Sequence, residues 1–170
     1  MNVSVGPEQP CDAAGVREVN ELAFGRPQEA RLVDALRASA DALSLVATVD
    51  GRVVGHILFT PVGIVPPPGD IRVAGLAPMA VRPECQRSGV GGRLVRAGLA
   101  ECRRRGFGAV VVVGHPEYYP RFGFVPAHTK GLDYEARVPR DAFMVIELET
   151  GALAGRAGVV RYGPEFSAFD

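Results

Sequence analysis

The N-terminal part of the chain combines one short apolar stretch with two segments of helical periodicity. Asn2–Val5 has the composition of a short strand. Asp12 occupies the position of a helix N-cap, and the pattern that follows it repeats at helical spacing until Gly25 and Pro27 interrupt it. A second helix is predicted over Gln28–Ala40. The residues that follow Asp12 at roughly helical spacing are Val16, Val19, Asn20, Leu22 and Ala23.

A β-hairpin is predicted next. Leu43–Val49 and Val53–Val62 are both rich in β-forming residues. The Asp50-Gly51 dipeptide between them is the strongest short-range signal for a hairpin turn. The proline-rich stretch Val65–Asp70 then predicts a loop without helix or strand.

A strand, a long helix and a second strand follow in the middle of the chain. The first strand is predicted over Ile71–Val81, and it must bulge or lose a partner near Pro78, because proline donates no ladder hydrogen bond. The helix ends at Arg105. Ala109–Val113 is a continuous apolar run, which is typical of a strand buried on both faces beside a parallel neighbour. These three elements predict a right-handed β-α-β unit.

The remaining elements are less regular. Glu117–Phe122 predicts a short helix, and Gly123 to Val125 predicts the start of another strand. Phe143–Leu148 predicts the last clear strand, and the Gly- and Ala-rich tail from Gly151 carries no strong signal.

Composition limits the classes of function. A length of 170 residues with 47% hydrophobic residues fits a single domain over residues 1–170. The 19 basic and 19 acidic residues cancel, so overall charge does not favour nucleic acid or anionic lipid as a partner. Three widely spaced cysteines, no signal peptide and no apolar run of membrane-spanning length predict a cytoplasmic protein. No metal-ligand spacing is present, so no metal is expected.

A glycine-rich turn opens the long helix. Gly89, Gly91 and Gly92 follow a strand and a loop, and the first turn of a helix has unpaired N–H groups and partial positive charge. Such a turn can hold a pyrophosphate, and Arg87 can add charge. The turn lacks the Lys and Ser/Thr of a Walker A loop and the spacing of a dinucleotide-binding fingerprint.

Two motifs in fixed order make the pattern specific. MAVRP at residues 79–83 and QRSGVG at 86–91 precede the long helix, and YPRFGF at 119–124 follows the apolar strand. In this order they resemble the GCN5-related N-acetyltransferase (GNAT) superfamily, most like its small bacterial YhbS-type branch, over about residues 46–124. The resemblance implies an α/β (α+β) GNAT fold: one mixed, mostly antiparallel sheet with a splayed parallel strand pair in the middle and helices on both faces.

The resemblance also implies a cofactor and a site. Acetyl-CoA would be held in a core region of about residues 71–125, with its pantetheine arm on the main chain of Met79–Val81 and its pyrophosphate on the loop. The residue matching Tyr119 would protonate the leaving thiolate, which is chemistry that a tyrosine can perform. The cofactor-binding residues are expected to be Met79, Ala80, Val81, Gln86, Arg87, Ser88, Gly89, Val90, Gly91 and Gly92.

The sequence does not identify a single residue as the general base. An amine with a pKa of about 10.4 must lose a proton before it attacks. The strand Leu76–Val81 has no carboxylate, where some family members carry a Glu. His115 is the preferred candidate, because it follows the carboxyl end of the buried strand. Glu117, Glu84, His56 and a chain of waters are the alternatives.

Two functions are therefore weighed. The first is transfer of an acetyl group from acetyl-CoA to a primary amine, by direct attack in a ternary complex, with a small molecule or a peptide as acceptor. The second, suggested by the absent strand carboxylate, is an acyl-CoA-binding sensor or interaction module without transferase activity. Relatives commonly dimerise, so a homodimer is compatible with either function.

Overall fold

The computed structural model describes residues 1–169, with side chains up to residue 167. The helices are α1 (Ala13–Phe24), α2 (Gln28–Leu36) and α3 (Val90–Arg104). The strands are β1 (Ser4–Pro7), β2 (Leu43–Val49), β3 (Arg52–Val65), β4 (Val73–Val81), β5 (Ala109–Val113), β6 (Val125–Pro126), β7 (Leu132–Tyr134), β8 (Phe143–Glu147) and β9 (Gly158–Arg161). Short 3-10 turns connect several of them.

The strands form a mixed sheet with the order β1-β2-β3-β4-β5-β8-β6. The pair β4–β5 is parallel, whereas β1–β2, β2–β3, β5–β8 and β6–β8 are antiparallel. β9 adds to the end of β3 and pairs in parallel with β7. The predicted fold class, a mixed sheet with a central parallel pair, is confirmed.

The chain divides into two compact units. The first contains Met1–Thr60, Ala77–Gly98 and residues 165–169, and the second contains Pro61–Leu76 and Leu99–Pro164. In the first unit, apolar residues of α1 and α2 pack against β2, β3 and β4. That core is formed by Val16, Val19, Leu32, Val33, Leu36, Val46, Val53, Leu58 and Ala80.

The opposite face of β3 receives the first turns of α3. A Cβ placed on Gly55 would lie 2.9 Å from side-chain atoms of both Val90 and Leu94. A Cβ on Gly98 would lie 2.2 Å from the ring of Phe59. Helix and strand therefore touch at points where only hydrogen fits, and this contact fixes the start of α3. Within this unit, helices cover both faces of the sheet, as predicted.

We expect Gly55→Ala to destabilise the protein by about 1 to 3 kcal/mol, because the added methyl group overpacks the contact with α3. Urea unfolding measures the change. Gly6→Ala in β1 is the matched control, since no heavy atom lies within 4 Å of a Cβ at that strand position. Equal stability of the two variants would contradict the proposed tight contact.

In the second unit, β5 is the central strand. It pairs with β4 on one side over Val73–Leu76 and with β8 on the other. Its residues from Ala109 to Val112 are buried. A Cβ on Gly75 would lie 2.1 Å from the ring of Tyr162, so the residue that follows β9 packs directly on the β4 backbone.

Several sequence predictions agree with the structure, and others need correction. β2 and β5 have the predicted bounds, and α3 ends one residue early. The second helix was predicted to reach Ala40 but ends at Leu36. Hydrogen-bonded turns and the left-handed Asp41 (φ 64°) follow it. Asp12 precedes α1, but its side chain accepts from Gln9 N instead of capping the helix. β7 and β9 were missed.

Among the described residues, no helix combines the length and apolar character required to cross a membrane.

Candidate active site

The glycine-rich loop is held rigidly at its start. After β4, a 3-10 turn covers Pro83–Cys85, and Cys85 is buried. The Gln86 side chain donates to Val81 O at 3.1 Å, and the Ser88 hydroxyl donates to Cys85 O. Two of the predicted cofactor-binding residues, Gln86 and Ser88, therefore use their side chains to fix the loop itself.

The backbone of this loop offers a run of unused donors. None of the N–H groups from Arg87 to Gly92 donates a hydrogen bond of normal geometry to another described residue. Arg87 (φ 60°) and Gly89 (φ 89°) are both in the left-handed region. Backbones in which left-handed and right-handed residues alternate can turn successive N–H groups towards one concavity. No heavy atom lies within 4 Å of a Cβ position on Gly89, so the space above it is open.

These donors coincide with the start of α3, which carries partial positive charge. Residues Gln86 to Gly89 are exposed, whereas Val90 is buried and anchors the helix. Unpaired N–H groups, a positive helix end and open space are together the features that a phosphate-binding helix start requires.

The second half of β4 has lost its β5 partner. The parallel ladder runs from Val73 to Leu76 and does not continue within the described residues, as expected near Pro78. Met79 and Val81 are half-buried, whereas the Ala80 side chain lies in the core beneath α1 and α2. Of the three strand residues predicted to bind the cofactor, Ala80 can therefore offer only its main chain.

Tyr119 lies in a 3-10 turn shortly after β5. Its ring packs at aromatic distances on Tyr118 and Phe124 and closely on Gly114, where a Cβ would lie 2.4 Å from it. Burial, with a smaller contribution from Tyr118, raises the pKa of Tyr119 well above its ordinary value of 10. Its hydroxyl makes no hydrogen bond to the part of the chain that the structure describes. Tyr119 is thus a protonated, uncommitted donor on a fixed ring.

His115 lies on the same turn. Its carbonyl accepts from the N–H groups of Tyr118 at 3.0 Å and Tyr119 at 3.4 Å, so the two predicted catalytic residues are brought together by one turn of backbone. The His115 side chain is exposed in a cavity of about 500 Å³. The cavity is lined by His115, Pro116, Glu117, Tyr118 and Arg121. Glu117, an alternative base, therefore shares this cavity.

Glu84 has a different environment from the other candidate bases. Its carboxylate accepts from Arg82 Nε at 2.8 Å, and this hydrogen bond lowers the pKa of Glu84. A carboxylate committed to a guanidinium is a poor proton acceptor.

His56 is a satisfied core histidine. It is fully buried on β3. Asn20 Nδ2 donates to its Nδ1 at 3.1 Å, which places the proton on Nε2, and Nε2 donates to Ser44 Oγ at 2.8 Å. The Ser44 hydroxyl donates in turn to Glu8, whose carboxylate also accepts from Arg37. Both imidazole nitrogens are occupied, so His56 has no free atom for catalysis.

Burial, assisted by the positive charge of Arg37, lowers the pKa of His56 from 6.5 to about 3. His56 is therefore protonated below about pH 6.5 in the unfolded chain but only below about pH 3 in the folded protein. The stability of the folded protein falls as the pH falls from 6.5 to 3. We expect the unfolding free energy of wild type to drop between pH 6 and pH 4 by about 2 to 3 kcal/mol more than that of His56→Gln. Urea unfolding at both pH values tests this, and parallel curves would contradict it.

One charged residue near the loop was missed by the sequence reasoning. Arg82 is 5% exposed and pairs with Glu84 and with Glu18 of α1. The available signal was a charged residue between an apolar strand and a glycine-rich loop. Among the described residues, no group of His, Cys, Asp and Glu side chains is arranged to hold a metal ion.

Comparison with known proteins agrees with this geometry. Residues 8–127 match the family model described as an acetyltransferase (GNAT) domain. The chain is 44% identical over 134 residues to the uncharacterised N-acetyltransferase YjhQ of Escherichia coli K12, covering 76% of this chain and 74% of YjhQ. It is 38% identical over 167 residues to the uncharacterised N-acetyltransferase YhbS of the same strain, covering 95% and 97% of the two chains.

Solved structures show the same likeness. The crystal structure of E. coli YhbS in complex with CoA superimposes with a TM-score of 0.93 at 35% identity, covering 100% of this chain and 94% of that one. A GNAT family acetyltransferase from Brucella melitensis, in complex with acetyl-CoA, gives a TM-score of 0.76 at 37% identity over 97% and 98% of the chains. The family model and these relatives establish that the chain belongs to the GNAT family of acetyltransferases.

Proposed function

We propose that this protein transfers an acetyl group from acetyl-CoA to a primary amine of a small-molecule or peptide acceptor, by direct attack in a ternary complex. The observation that carries the proposal is the run of six unused N–H groups from Arg87 to Gly92 at the start of α3. The CoA complex of YhbS and the acetyl-CoA complex of the Brucella relative support it.

The residues present fit the cofactor. The N–H groups from Arg87 to Gly92 would hold the pyrophosphate, with open space above Gly89 to receive it. The main chain of Met79 and Val81, free of the β5 ladder, would bind the amides of the pantetheine arm. Bound acetyl-CoA supplies a thioester carbonyl activated for attack by an amine.

The chain's own groups would then manage charge and protons. A backbone N–H of the unpaired part of β4 would donate to the developing oxyanion. Tyr119, whose hydroxyl is protonated and uncommitted, would donate its proton to the leaving thiolate sulfur. His115, exposed in the cavity after β5, would accept the proton of the attacking amine.

Direct attack needs no protein nucleophile. Burial raises the pKa of the Cys102 thiol to about 12, so this residue stays a thiol at neutral pH and is not a nucleophilic thiolate. The whole chain, residues 1–170, is proposed to act as one cytoplasmic transferase domain, as a monomer or a homodimer.

Calorimetric titration with acetyl-CoA and with S-acetylpantetheine, which lacks the nucleotide, tests the assignment of the loop. We expect acetyl-CoA to bind at least about a hundredfold more tightly, because the charge-assisted contacts to the pyrophosphate are lost in the shorter ligand. Equal affinities for the two ligands would show that the loop does not bind the pyrophosphate. A folded protein that binds neither ligand would contradict the proposed function.

A further inference from the structure

The buried guanidinium of Arg82 lies at the junction between β4 and the phosphate-binding loop, Pro83–Gly92. The backbone N–H of Arg82 donates to Val54 O at 2.8 Å, and this hydrogen bond fixes the Arg82 backbone to β3. Only 6% of its side chain is exposed. Burying a charge is costly unless it is paired, so the position needs a reason beyond packing.

Its two partners belong to different elements. Nε contacts Glu84 Oε1 at 2.8 Å in the first turn of the loop, and Nη1 approaches Glu18 Oε1 on α1 at 3.3 Å. The Glu84 and Glu18 side chains are 57% and 54% exposed. Water could solvate both carboxylates, so the acids do not require the arginine, whereas the buried arginine requires the acids.

The contact with Glu84 stabilises the 3-10 turn Pro83–Cys85, which sets the direction of the loop. Arg82 O accepts from Cys85 N at 2.8 Å, and the guanidinium returns to Glu84 inside the same turn. A backbone hydrogen bond and an ion pair therefore both connect Arg82, which precedes Pro83, to residues that follow Pro83. These contacts hold the turn that precedes the N–H groups of the loop. A donor array held in place before binding loses less entropy when the anion arrives.

We propose that Arg82 is a positioning residue for the phosphate-binding loop: it ties the loop, through Glu84, to helix α1, through Glu18. This inference rests on the proposed function, since it concerns how the loop is held for the pyrophosphate. It predicts that a change on α1 alters affinity for the nucleotide part of the cofactor.

Glu84→Gln tests the proposal with an opposing electrostatic expectation. By charge alone, removal of an acid beside a pyrophosphate site would tighten acetyl-CoA binding. A positioning role predicts instead that acetyl-CoA binds about threefold to tenfold more weakly, because the ion pair that closes the turn is lost. S-acetylpantetheine affinity should stay unchanged, because that ligand has no pyrophosphate.

Glu101→Gln is the matched control. Glu101 is also paired with arginines, Arg104 and Arg105, but it lies in the last turn of α3, away from the loop. It should leave both affinities unchanged. Glu18→Gln should weaken acetyl-CoA binding in the same direction as Glu84→Gln and by a smaller factor. Arg82→Lys, which keeps the charge but lacks the fork that reaches two acids, should retain only part of the wild-type affinity.

The outcomes separate this inference from the proposed function. Failure of wild type to bind acetyl-CoA contradicts the proposed function. Wild-type binding with unchanged or tighter binding by a folded Glu84→Gln overturns the positioning role alone. A parallel loss for acetyl-CoA and S-acetylpantetheine also overturns it, since general destabilisation would affect both ligands.

Discussion

Replacing Gly89 with glutamate is expected to weaken acetyl-CoA binding by at least about a hundredfold. Gly89 has φ 89°, where a side chain costs about 1 to 3 kcal/mol of strain, and relief of that strain would turn the N–H groups of the loop away. The new carboxylate would also oppose the pyrophosphate directly. Calorimetric titration measures the loss.

Gly106→Glu is a closely matched control. Gly106 has φ 87°, and no heavy atom lies within 4 Å of a Cβ there, so strain, space and charge change are the same as at Gly89. It follows the opposite end of α3. We expect a similar loss of stability and no loss of affinity. Equal loss of affinity in both variants would show that the Gly89 effect is not specific to the loop.

Tyr119→Phe is expected to lower kcat by about a hundredfold to a thousandfold and to leave acetyl-CoA affinity within about twofold of wild type. The ring contacts with Phe124 and Gly114 remain, and only the hydroxyl is lost. Thiol release with the most reactive member of an amine panel gives kcat, and calorimetry gives the affinity.

Tyr118→Phe controls for the loss of a neighbouring hydroxyl, and we expect a far smaller change in kcat. Unchanged turnover in Tyr119→Phe would remove Tyr119 as the acid. A large fall in affinity with unchanged kcat would make it a binding residue instead.

The elements around the loop could be predicted because local signals and tertiary packing agree there. The Asp50-Gly51 turn fixed the hairpin, and the apolar run Ala109–Val113 required burial on both faces of a parallel strand. Pro78 predicted the end of the β4–β5 ladder. The glycines at the start of α3 predict a backbone turn that side chains would strain, which Gly89 (φ 89°) has, and the anion site at this turn belongs to the proposed function.

Side-chain partnerships could not be predicted in the same way. His56 is distant in sequence from Asn20 and Glu8, so no spacing rule reveals the hydrogen-bond network that includes them. That network occupies both ring nitrogens of His56 and leaves neither available to act as a base. The pairing of Arg82 with Glu18 is likewise long-range. β7 and β9 are only three and four residues long, and each is stabilised by pairing with a distant strand.

The central claim is amine acetylation, and one assay tests it most directly. Purified protein is mixed with acetyl-CoA and a panel of amino acids, polyamines, aminoglycosides and peptides, and both thiol release and acetylated product are measured. Transferase activity predicts thiol release that depends on one class of amine, with one N-acetyl product formed per thiol. Acetyl-CoA that binds tightly but releases no thiol with any amine would contradict the account and favour a sensor.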